Sequence, residues 1–357
     1  MLNDDYFRGQ EWLFDLIISS YYQARRHKRS TLNQLNFELD LERNLARLFE
    51  DIRDRRYQLN PSIAFIVTNP KRREVFAAHF RDRIVHHIVY NLMIDYWERH
   101  FIYDSYSCRL RKGTHFGIQR VAQFLRQATG NYHHEAWVMK LDVDSYFTSI
   151  NQGIMWELLG RIFTDPRHKL PPEYLDLLAY LLPIIVFARP TYDVSLRSRR
   201  QLWQALPDHK SLFWVAPDRG FPIGNLTSQL FSNIYLGELD IFVKNTLKVR
   251  YYGRYVDDMV LVDRDRNFLL WARDQIETFL NQRLLLRLAK RKLYLQPARF
   301  GVTFIGGQIR PERVYPGRPL QSHWQEDVYI TRDLDHGVEW RNNCESYLGQ
   351  LRIFRYL

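Results

Sequence analysis

The sequence predicts an α+β fold, because helices and short strands follow one another without strict alternation. Apolar residues recur at helical spacing in three long stretches, which predicts helices over residues 5–28, 40–57 and 80–99. A short apolar run at residues 137–143 and two apolar runs within residues 251–262 predict strands. The strands are thus expected to lie between helices and to build a sheet from distant parts of the chain.

The elements of the first hundred residues are mostly helical. The helix over 5–28 carries tryptophan, leucine, isoleucine and tyrosine on one face and runs into a cluster of basic residues. Asn60 and Pro61 end the helix over 40–57. Residues 63–67 are then predicted to form a strand before the third helix begins.

In the rest of the chain, acidic residues follow or separate apolar strands. The strand at 137–143 ends in aspartates, and apolar residues flank the aspartates at 257–258, which is the pattern of a hairpin with acids at its turn. Residues 156–218 are predicted to hold helices and a loop rich in proline, arginine and tryptophan. A helix over 268–281 and a strand pair around 306–307 follow.

The charge balance indicates a polyanionic partner. The chain has 51 Lys and Arg against 40 Asp and Glu, a net charge of +11, and a pI of about 9.5. Nucleic acid is the first candidate and an anionic membrane the second. Two cysteines exclude a disulfide framework and a four-cysteine zinc site.

The sequence shows no sign of a signal peptide or of a membrane span. The N-terminus is acidic, unlike a signal peptide, and the most apolar run, residues 177–188, is too short to span a bilayer. We expect a cytoplasmic protein without a membrane partner.

The strongest chemical signal is a set of carboxylates at strand ends. Asp257 and Asp258 lie side by side between apolar residues, with Arg254 as their one local cation, and Asp142 ends another apolar strand. If the strand ends meet, their oxygens would hold two divalent cations, which is the arrangement of nucleotidyl-transfer enzymes. Hard oxygen ligands select Mg²⁺, and Mn²⁺ is expected to substitute. The alternative for the adjacent aspartates is a hydrated turn without chemistry.

The order of short motifs resembles that of the reverse transcriptases. Five segments match palm motifs and two upstream segments match motifs of the fingers. In chain order, the fingers segments are 81–87 (RDRIVHH) and 105–109 (SYSCR), and the palm segments are 140–147 (KLDVDSYF), 220–229 (GFPIGNLTSQ), 255–258 (YVDD), 286–292 and 304–307 (FIGG). The match covers about residues 60–310.

The resemblance implies a right-hand polymerase fold. Its palm is an antiparallel sheet with helices, joined to fingers and to a short helical thumb. The implied division is an N-terminal helical extension at 1–58, fingers at 59–111 and 156–219, a palm at 112–155 and 220–310, and a thumb at 311–357.

The resemblance also implies roles for the palm residues. Asp142 and Asp257 are the expected ligands of both metal ions, with Asp258 in support and the Val143 carbonyl completing one coordination shell. Lys292 is expected to protonate the leaving pyrophosphate, although it could equally contact the template backbone. Asp144 stands at a variable position of the motif and is expected to be a solvated or ion-paired side chain.

Further residues are assigned to the incoming nucleotide by the same resemblance. Phe147 is expected to be a steric gate against the ribose 2′-hydroxyl, because its neighbour Tyr146 can supply the core packing. The alternative is that Phe147 is itself a core residue. Ile223, Gly224 and Gln229 belong to the motif beside the nascent base pair, where a glycine lets the backbone approach closely. The candidate cations for the triphosphate are Lys71, Arg72, Arg81, Arg83 and Arg109. The resemblance implies that one or two of the fingers cations act together with Arg109, and a solvated surface charge is the alternative for each of them.

Within the superfamily, residues 223–229 (IGNLTSQ) are most similar to the reverse transcriptases of diversity-generating retroelements. An apolar residue stands at 223 and Ser-Gln at 228–229, where many relatives have Gln and Ser-Pro. The resemblance implies error-prone cDNA synthesis on a template RNA from a primer and deoxynucleoside triphosphates, with errors at template adenines. It also implies a small accessory RNA-binding protein. Group II intron-like reverse transcriptases or maturases and defence-associated polymerases are the alternatives, and Ile223 could simply pack under its loop.

Overall fold

The computed structural model describes residues 9–26, 31–69, 71–311 and 313–316. The chain divides into two compact units, each made of two segments. The first unit comprises Met1–His100 and Ser145–Tyr235, and the second comprises Phe101–Asp144 and Leu236–Leu357. Helices and sheets are mixed in both, which confirms the α+β prediction. The predicted fingers, palm and thumb boundaries stay predictions, and all of residues 317–357 lies outside the described residues.

The first unit holds most of the helices. They are α1 (Glu11–Arg25), α2 (Leu32–Glu38), α3 (Leu41–Arg53), α4 (Phe80–Glu98), α6 (Tyr146–Ser149), α7 (Gln152–Thr164), α8 (Pro172–Val186) and α9 (Arg200–Gln204). The predicted helix over 40–57 is shorter than expected, because Arg55 adopts a left-handed backbone conformation with φ of 57° and so ends the helix. Helix α2 was not predicted, and parts of the helix predicted over 5–28 lie outside the described residues.

A three-stranded sheet completes the first unit. It consists of β1 (Ser62–Val67), β2 (Arg73–Ala77) and β4 (Val194–Leu196), in the order β2-β1-β4. Strand β2 pairs antiparallel to β1, whereas β4 pairs parallel to it. The loop that the sequence predicts within 156–218 therefore contributes a strand, whose three residues were too few to show a pattern.

The second unit contains α5 (Thr114–Thr129), α11 (Arg266–Arg283) and two antiparallel sheets. The larger sheet has the order β5-β6-β3-β7, from β3 (Trp137–Leu141), β5 (Tyr251–Tyr255), β6 (Asp258–Asp263) and β7 (Tyr294–Pro297). The smaller has the order β10-β9-β8, from β8 (Val302–Phe304), β9 (Gly307–Ile309) and β10 (Val314–Pro316). The predicted hairpins around the aspartates and around 306–307 are both confirmed.

Helix α5 packs against these sheets and closes the core of the second unit. Its buried face carries Val121, Phe124 and Leu125, which pack in one apolar cluster with Val260 of β6 and Phe304 of β8. Helix α10 (Leu226–Ile241) contains the boundary between the two units and continues into a π-helical turn at Phe242–Thr246. In the described part of the chain, no helix combines the length and the apolar character that crossing a bilayer requires.

Candidate active site

Three carboxylates meet at one edge of the larger sheet. Strand β3 pairs antiparallel with β6, and the last pair in the register is Leu141 with Met259. The next position along this ladder sets Asp142 opposite Asp258. Since Tyr255 pairs with Asp258, the β5–β6 hairpin closes through a two-residue turn, whose second residue is Asp257. Strand register thus brings together two acidic segments more than a hundred residues apart.

The turn that carries Asp257 has a strained backbone. Val256 has a φ of 54°, and a positive φ at the first central residue is the pattern of a type II′ turn, where glycine is the favoured residue. A β-branched side chain in this conformation is a genuine outlier and costs of order 1–3 kcal/mol. Such a conformation persists only where neighbouring groups hold it in place.

The buried guanidinium group of Arg254 supplies that hold. Its Nη1 donates a hydrogen bond of 2.8 Å to the carbonyl oxygen of Val256. Its Nε and Nη2 donate to the two carboxylate oxygens of Asp240 at 2.8 and 2.6 Å, and both side chains are 0% exposed. The hydroxyl of Tyr252 donates to the same carboxylate at 2.7 Å. A buried charge is tolerated only when it is paired and hydrogen-bonded, so this fork fixes the turn from behind.

The main chain around Arg254 is fixed as well. Its N–H donates to the carbonyl of Asp104 at 2.9 Å, and its carbonyl accepts from the N–H of Tyr106 at 2.9 Å. The ring of Tyr106 lies against Gly253, where a Cβ would collide with the phenol oxygen. Glycine is therefore required at 253, since only a residue without a side chain lets the tyrosine approach the strand.

Asp142 is held by its own main chain and by a lysine. It is 6% exposed, and its carbonyl accepts a 2.8 Å hydrogen bond from the N–H of Ala289. The N–H of Asp144 donates to the carbonyl of Arg287 at 2.8 Å, so the two bonds flank Val143 and neither uses its carbonyl. The Nζ of Lys292 lies 2.6 Å from Oδ1 of Asp142.

A second lysine, Lys140, reaches the site and was not singled out in the sequence. Its Nζ lies 3.1 Å from Oδ1 of Asp258. The signal that could have found it is the two-residue periodicity of β3, which places Lys140 on the same face of the strand as Asp142. Arg254, by contrast, was identified as the cation beside the aspartates, but its charge is paired with Asp240.

Burial and neighbouring negative charge raise the pKa of two of the carboxylates, Asp257 and Asp142. Burial, together with repulsion from Asp142 and Asp258, raises the pKa of Asp257 to about 6. Burial also raises the pKa of Asp142, against the opposing effect of Lys292. Burial alone would lower the pKa of Lys292, but its hydrogen bond to Asp142 raises it, so the ammonium form is favoured. The site therefore concentrates negative charge, which bound cations would stabilise.

The donor set fits hard divalent cations, although no closed metal cluster is formed. Among the described residues, no group of three His, Cys, Asp or Glu side chains stands in metal-binding geometry. Two of the three carboxylates are instead contacted by the ammonium groups of Lys292 and Lys140. Carboxylate oxygens that repel one another at a sheet edge are the ligand type that Mg²⁺ and Mn²⁺ prefer.

Other residues predicted for the site lie in the first unit. The N–H of Phe76 donates to the carbonyl of Ile223 at 2.9 Å. Gly224 has a φ of 125°, and a Cβ there would lie 2.6 Å from the carbonyl oxygen of Phe76, so the close approach requires glycine. Gln229 is exposed in the first turn of α10.

The two aromatic residues of α6 have different environments. Tyr146 is 3% exposed and its hydroxyl donates to the carbonyl of Ser232 at 2.6 Å, so it does supply core packing as predicted. Phe147 is half-buried, and its carbonyl accepts a 2.8 Å hydrogen bond from the N–H of Phe221. Its role as a gate stays a prediction.

All four predicted triphosphate-binding arginines have intramolecular partners, and Arg72 donates to the carbonyl of Ala205 at 2.8 Å. Arg81 donates to Asp51 at 2.5 Å and lies over the ring of Tyr57. Arg83 donates to the carbonyl of Ala78 at 3.0 Å. Arg109 donates to the carbonyls of Ile102 and Ser105 at 2.6 and 2.8 Å. Lys71 and Arg72 are exposed. The assignment of all five to a triphosphate stays a prediction.

Comparisons with known proteins identify the fold. No protein-family model matches the sequence. Protein YkfC of Escherichia coli is 23% identical over 316 residues, which are 79% of this chain and 75% of that protein. A telomerase of Candida tropicalis truncated from its C-terminal domain matches with a TM-score of 0.50 and 12% identity over 73% of this chain and 56% of its own. The Candida tropicalis telomerase bound to a fragment of telomeric RNA matches with a TM-score of 0.50 and 12% identity over 82% of this chain and 53% of its own.

The chain spans about half the length of these telomerase structures. At such low identity the likeness concerns the fold and not the activity. Telomerase is a reverse transcriptase-type polymerase. The chain therefore has a mixed α and β fold similar to that of a reverse transcriptase-type polymerase.

Proposed function

We propose that this chain is an RNA-directed DNA polymerase, which extends a primer from deoxynucleoside triphosphates by copying an RNA template. The observation that carries the proposal is the convergence of Asp142, Asp257 and Asp258 at one sheet edge. The telomerase-like fold and the net charge of +11 support it. That one of the telomerase neighbours binds RNA supports an RNA template.

Two Mg²⁺ ions would be held by Asp142 and Asp257, with the Val143 carbonyl completing one shell. Bound there, the ions would activate the primer 3′-hydroxyl and stabilise the leaving oxygen of an in-line displacement. The fixed turn contributes by holding the Asp257 carboxylate in one place, which spares the reaction the cost of ordering it. Asp258, paired with Lys140, supports the negative field without leaving an unpaired charge.

The reaction is attack of the primer 3′-oxygen on the α-phosphorus of the nucleotide. A phosphorus–oxygen bond forms there, and the bond to the β-phosphate breaks to release pyrophosphate. Lys292 is the candidate general acid, because its raised pKa keeps a proton on Nζ that it can donate to the leaving oxygen.

Within this class, residues 223–229 favour a diversity-generating retroelement enzyme that makes error-prone cDNA. Its partners would be the template RNA, a primer or growing cDNA, and a small accessory RNA-binding protein. An apolar Ile223 offers contact area where a Gln amide would offer hydrogen bonds, and apolar contact discriminates by only about 1–3 kcal/mol.

Primer extension tests the proposed function. The full chain, a labelled DNA primer annealed to an RNA of defined sequence, four deoxynucleotides and Mg²⁺ should give products complementary to the template. Products that ignore the template would instead indicate a defence-type polymerase. RNA binding without extension would indicate a catalytically silent maturase.

Sequencing of the cDNA tests the narrower class. Misincorporation concentrated opposite template adenines is expected for the retroelement enzyme. Accurate copying, or errors spread evenly over the four template bases, would favour the group II intron-like alternative. Both results are informative only once template-directed extension is established.

A further inference from the structure

Six exposed cations gather at one end of the sheet in the first unit. Strand β4 runs parallel to β1, and β2 runs antiparallel to it, so the last residues of β1 and β4 and the first residues of β2 lie at the same end. The cations that flank these strand ends are Lys71, Arg72, Arg73, Arg197, Arg199 and Arg200, all exposed, and are called the basic end below.

Hydrogen bonds join the two segments that form the basic end. The N–H of Arg197 donates to the carbonyl of Ala64 at 2.7 Å, and the N–H of Ile66 donates to the hydroxyl of Ser198 at 3.1 Å. Arg72 donates through Nη1 to the carbonyl of Ala205 at 2.8 Å. Residues more than a hundred positions apart in the chain are thereby held in one surface, which the sequence alone does not show.

No carboxylate neutralises this surface in the described residues. None of the six cations forms an ion pair there. Glu74, which follows Arg73 in β2, is 4% exposed and accepts hydrogen bonds from the hydroxyl of Ser211 and the N–H of Leu212, each at 2.7 Å. The nearest acidic side chain in sequence is therefore used internally, and the positive charge stays on the surface.

An aromatic group accompanies the cations. The indole of Trp203 donates to the carbonyl of Arg197 at 3.3 Å, and its ring contacts that of Phe213, 5.8 Å between centroids. The next residue, Trp214, is 73% exposed. Exposed aromatic rings beside arginines are the combination that binds unpaired bases and their backbone.

The extent of the basic end indicates a polymer and not a single triphosphate. Neighbouring strands lie about 4.8 Å apart, and the cations flank the two outer strands, β2 and β4, so they are spread over roughly 10 Å. Arginine binds phosphate oxygens through a planar fork, and contacts to successive phosphates position a nucleic acid without reading its sequence.

We propose that the basic end binds the phosphate backbone of unpaired RNA. The proposal rests on the proposed function for the identity of the polymer, namely the template strand before it is copied. It differs from the assignment of Lys71 and Arg72 to the nucleotide triphosphate, and the two assignments predict different measurements.

The test measures binding of a labelled, unstructured 20-nucleotide RNA to the full chain, without primer, nucleotides or divalent ions, between 50 and 200 mM salt. The variant is Arg197→Gln/Arg199→Gln/Arg200→Gln. The expected result is a loss of affinity of about 10-fold or more and a salt slope smaller by about 2, because each phosphate contact on a single strand contributes about 0.7.

The matched control removes the same charge elsewhere in the first unit, by Arg43→Gln/Arg47→Gln/Arg99→Gln. Its salt slope should stay within about 0.5 of the parent value. A further variant, Trp214→Ala, should weaken binding several-fold without changing the slope, because stacking is not electrostatic. Thermal unfolding checks that all variants are folded.

Two results would overturn the proposal. One is an unchanged slope in the Arg197, Arg199 and Arg200 variant, or an equal change in the control. The other is a raised KM for deoxynucleotides with unchanged RNA binding, which would mean that the basic end binds the nucleotide triphosphate. A failure of the proposed function is seen separately, as absence of primer extension by the parent chain.

Discussion

The larger sheet of the second unit carries buried negative charge, whereas the sheet of the first unit carries exposed positive charge. At the edge of the larger sheet, Asp142 is 6% exposed and the turn before Asp258 is fixed by Arg254, itself 0% exposed. At the basic end of the three-stranded sheet in the first unit, the cations are exposed. Fixed, mutually repelling carboxylates suit chemistry that depends on exact atomic positions. Exposed cations on flexible side chains suit a polymer whose shape varies.

This contrast predicts two kinds of mutational effect. Changes at the carboxylates or at their anchor should reduce the rate of synthesis by orders of magnitude while RNA binding persists. Changes to residues of the first unit should alter which nucleotide or template is accepted, with smaller effects on rate. The following variants, ordered from the largest expected effect to the smallest, test whether the molecule divides in this way.

Asp257→Asn should reduce primer extension by at least about 10³-fold, because loss of a charged metal ligand costs several kcal/mol of transition-state stabilisation. RNA binding should stay nearly unchanged, since no basic contact is removed. The exposed neighbour Asp144 offers the control, and Asp144→Asn should keep activity within about 3-fold. Residual activity of Asp257→Asn within about 10-fold of the parent would sink the two-metal assignment.

Arg254→Lys should lower kcat about 10- to 100-fold and raise the Mg²⁺ concentration needed for activity. A lysine can pair with Asp240 but lacks the fork that also reaches the Val256 carbonyl, so the turn loses its anchor. Tyr252→Phe is the matched control, because it removes a hydrogen bond to the same carboxylate without touching the turn.

Val256→Gly sharpens this test. Glycine adopts a positive φ without strain, so the turn should depend less on its anchor, and the double variant should recover part of the activity lost by Arg254→Lys. The activity of Tyr252→Phe should fall only in proportion to its folded fraction. If the same holds for Arg254→Lys, the hydrogen bond from Arg254 to the Val256 carbonyl has no role beyond stability.

Phe147→Ala should weaken discrimination against ribonucleotides by about 10- to 100-fold, if the ring is the steric gate that the resemblance implies. The measurement compares kcat/KM for a ribonucleotide and its deoxy counterpart on one template. Tyr146→Phe serves as the comparison, since it removes a buried hydroxyl contact and should leave sugar selection unchanged. Equal discrimination by parent and Phe147→Ala would make Phe147 a core residue.

Ile223→Gln should lower misincorporation opposite template adenines by about 3- to 10-fold, because an amide can hydrogen-bond to the incoming nucleotide. Its main chain should be unaffected, since Ile223 is held by its carbonyl through the Phe76 N–H. Sequencing cDNA from both enzymes on one template measures the effect. Equal accuracy at adenines would remove the mechanistic support for the retroelement class.

The sequence predicts the carboxylate edge well because its signals are local. Apolar runs that end in acidic residues predict strand ends, and two residues between paired runs predict a tight hairpin, so Asp142 and Asp257 could be singled out. Their meeting still depended on the resemblance, since strand pairing across more than a hundred residues leaves no periodic trace in a single sequence.

The sequence could not predict which ion-pair partner a buried charged residue has in the folded chain. Arg254 precedes Asp257 by only three residues, yet it pairs with Asp240, which lies fourteen residues upstream on α10. Strand β4 was missed for a related reason, because three residues in a proline-rich loop show no alternation and its pairing with β1 is settled by tertiary contacts. Both features depend on contacts between distant parts of the chain, which become visible only in the folded structure.

The most direct test of the central claim is the stability of wild type and Asp257→Asn with and without Mg²⁺. The folded pKa of Asp257, about 6, exceeds the value of about 3.8 expected when unfolded, so the folded state binds more protons between these values. Stability is therefore lost as pH rises through this window. At pH 7 without divalent ions, Asp257→Asn should be more stable than wild type by up to about 3 kcal/mol, and the difference should vanish below about pH 4. Mg²⁺ should then stabilise wild type far more than the variant. A variant less stable than wild type at pH 7, or equal stabilisation of both by Mg²⁺, would contradict a cation site built from mutually repelling carboxylates.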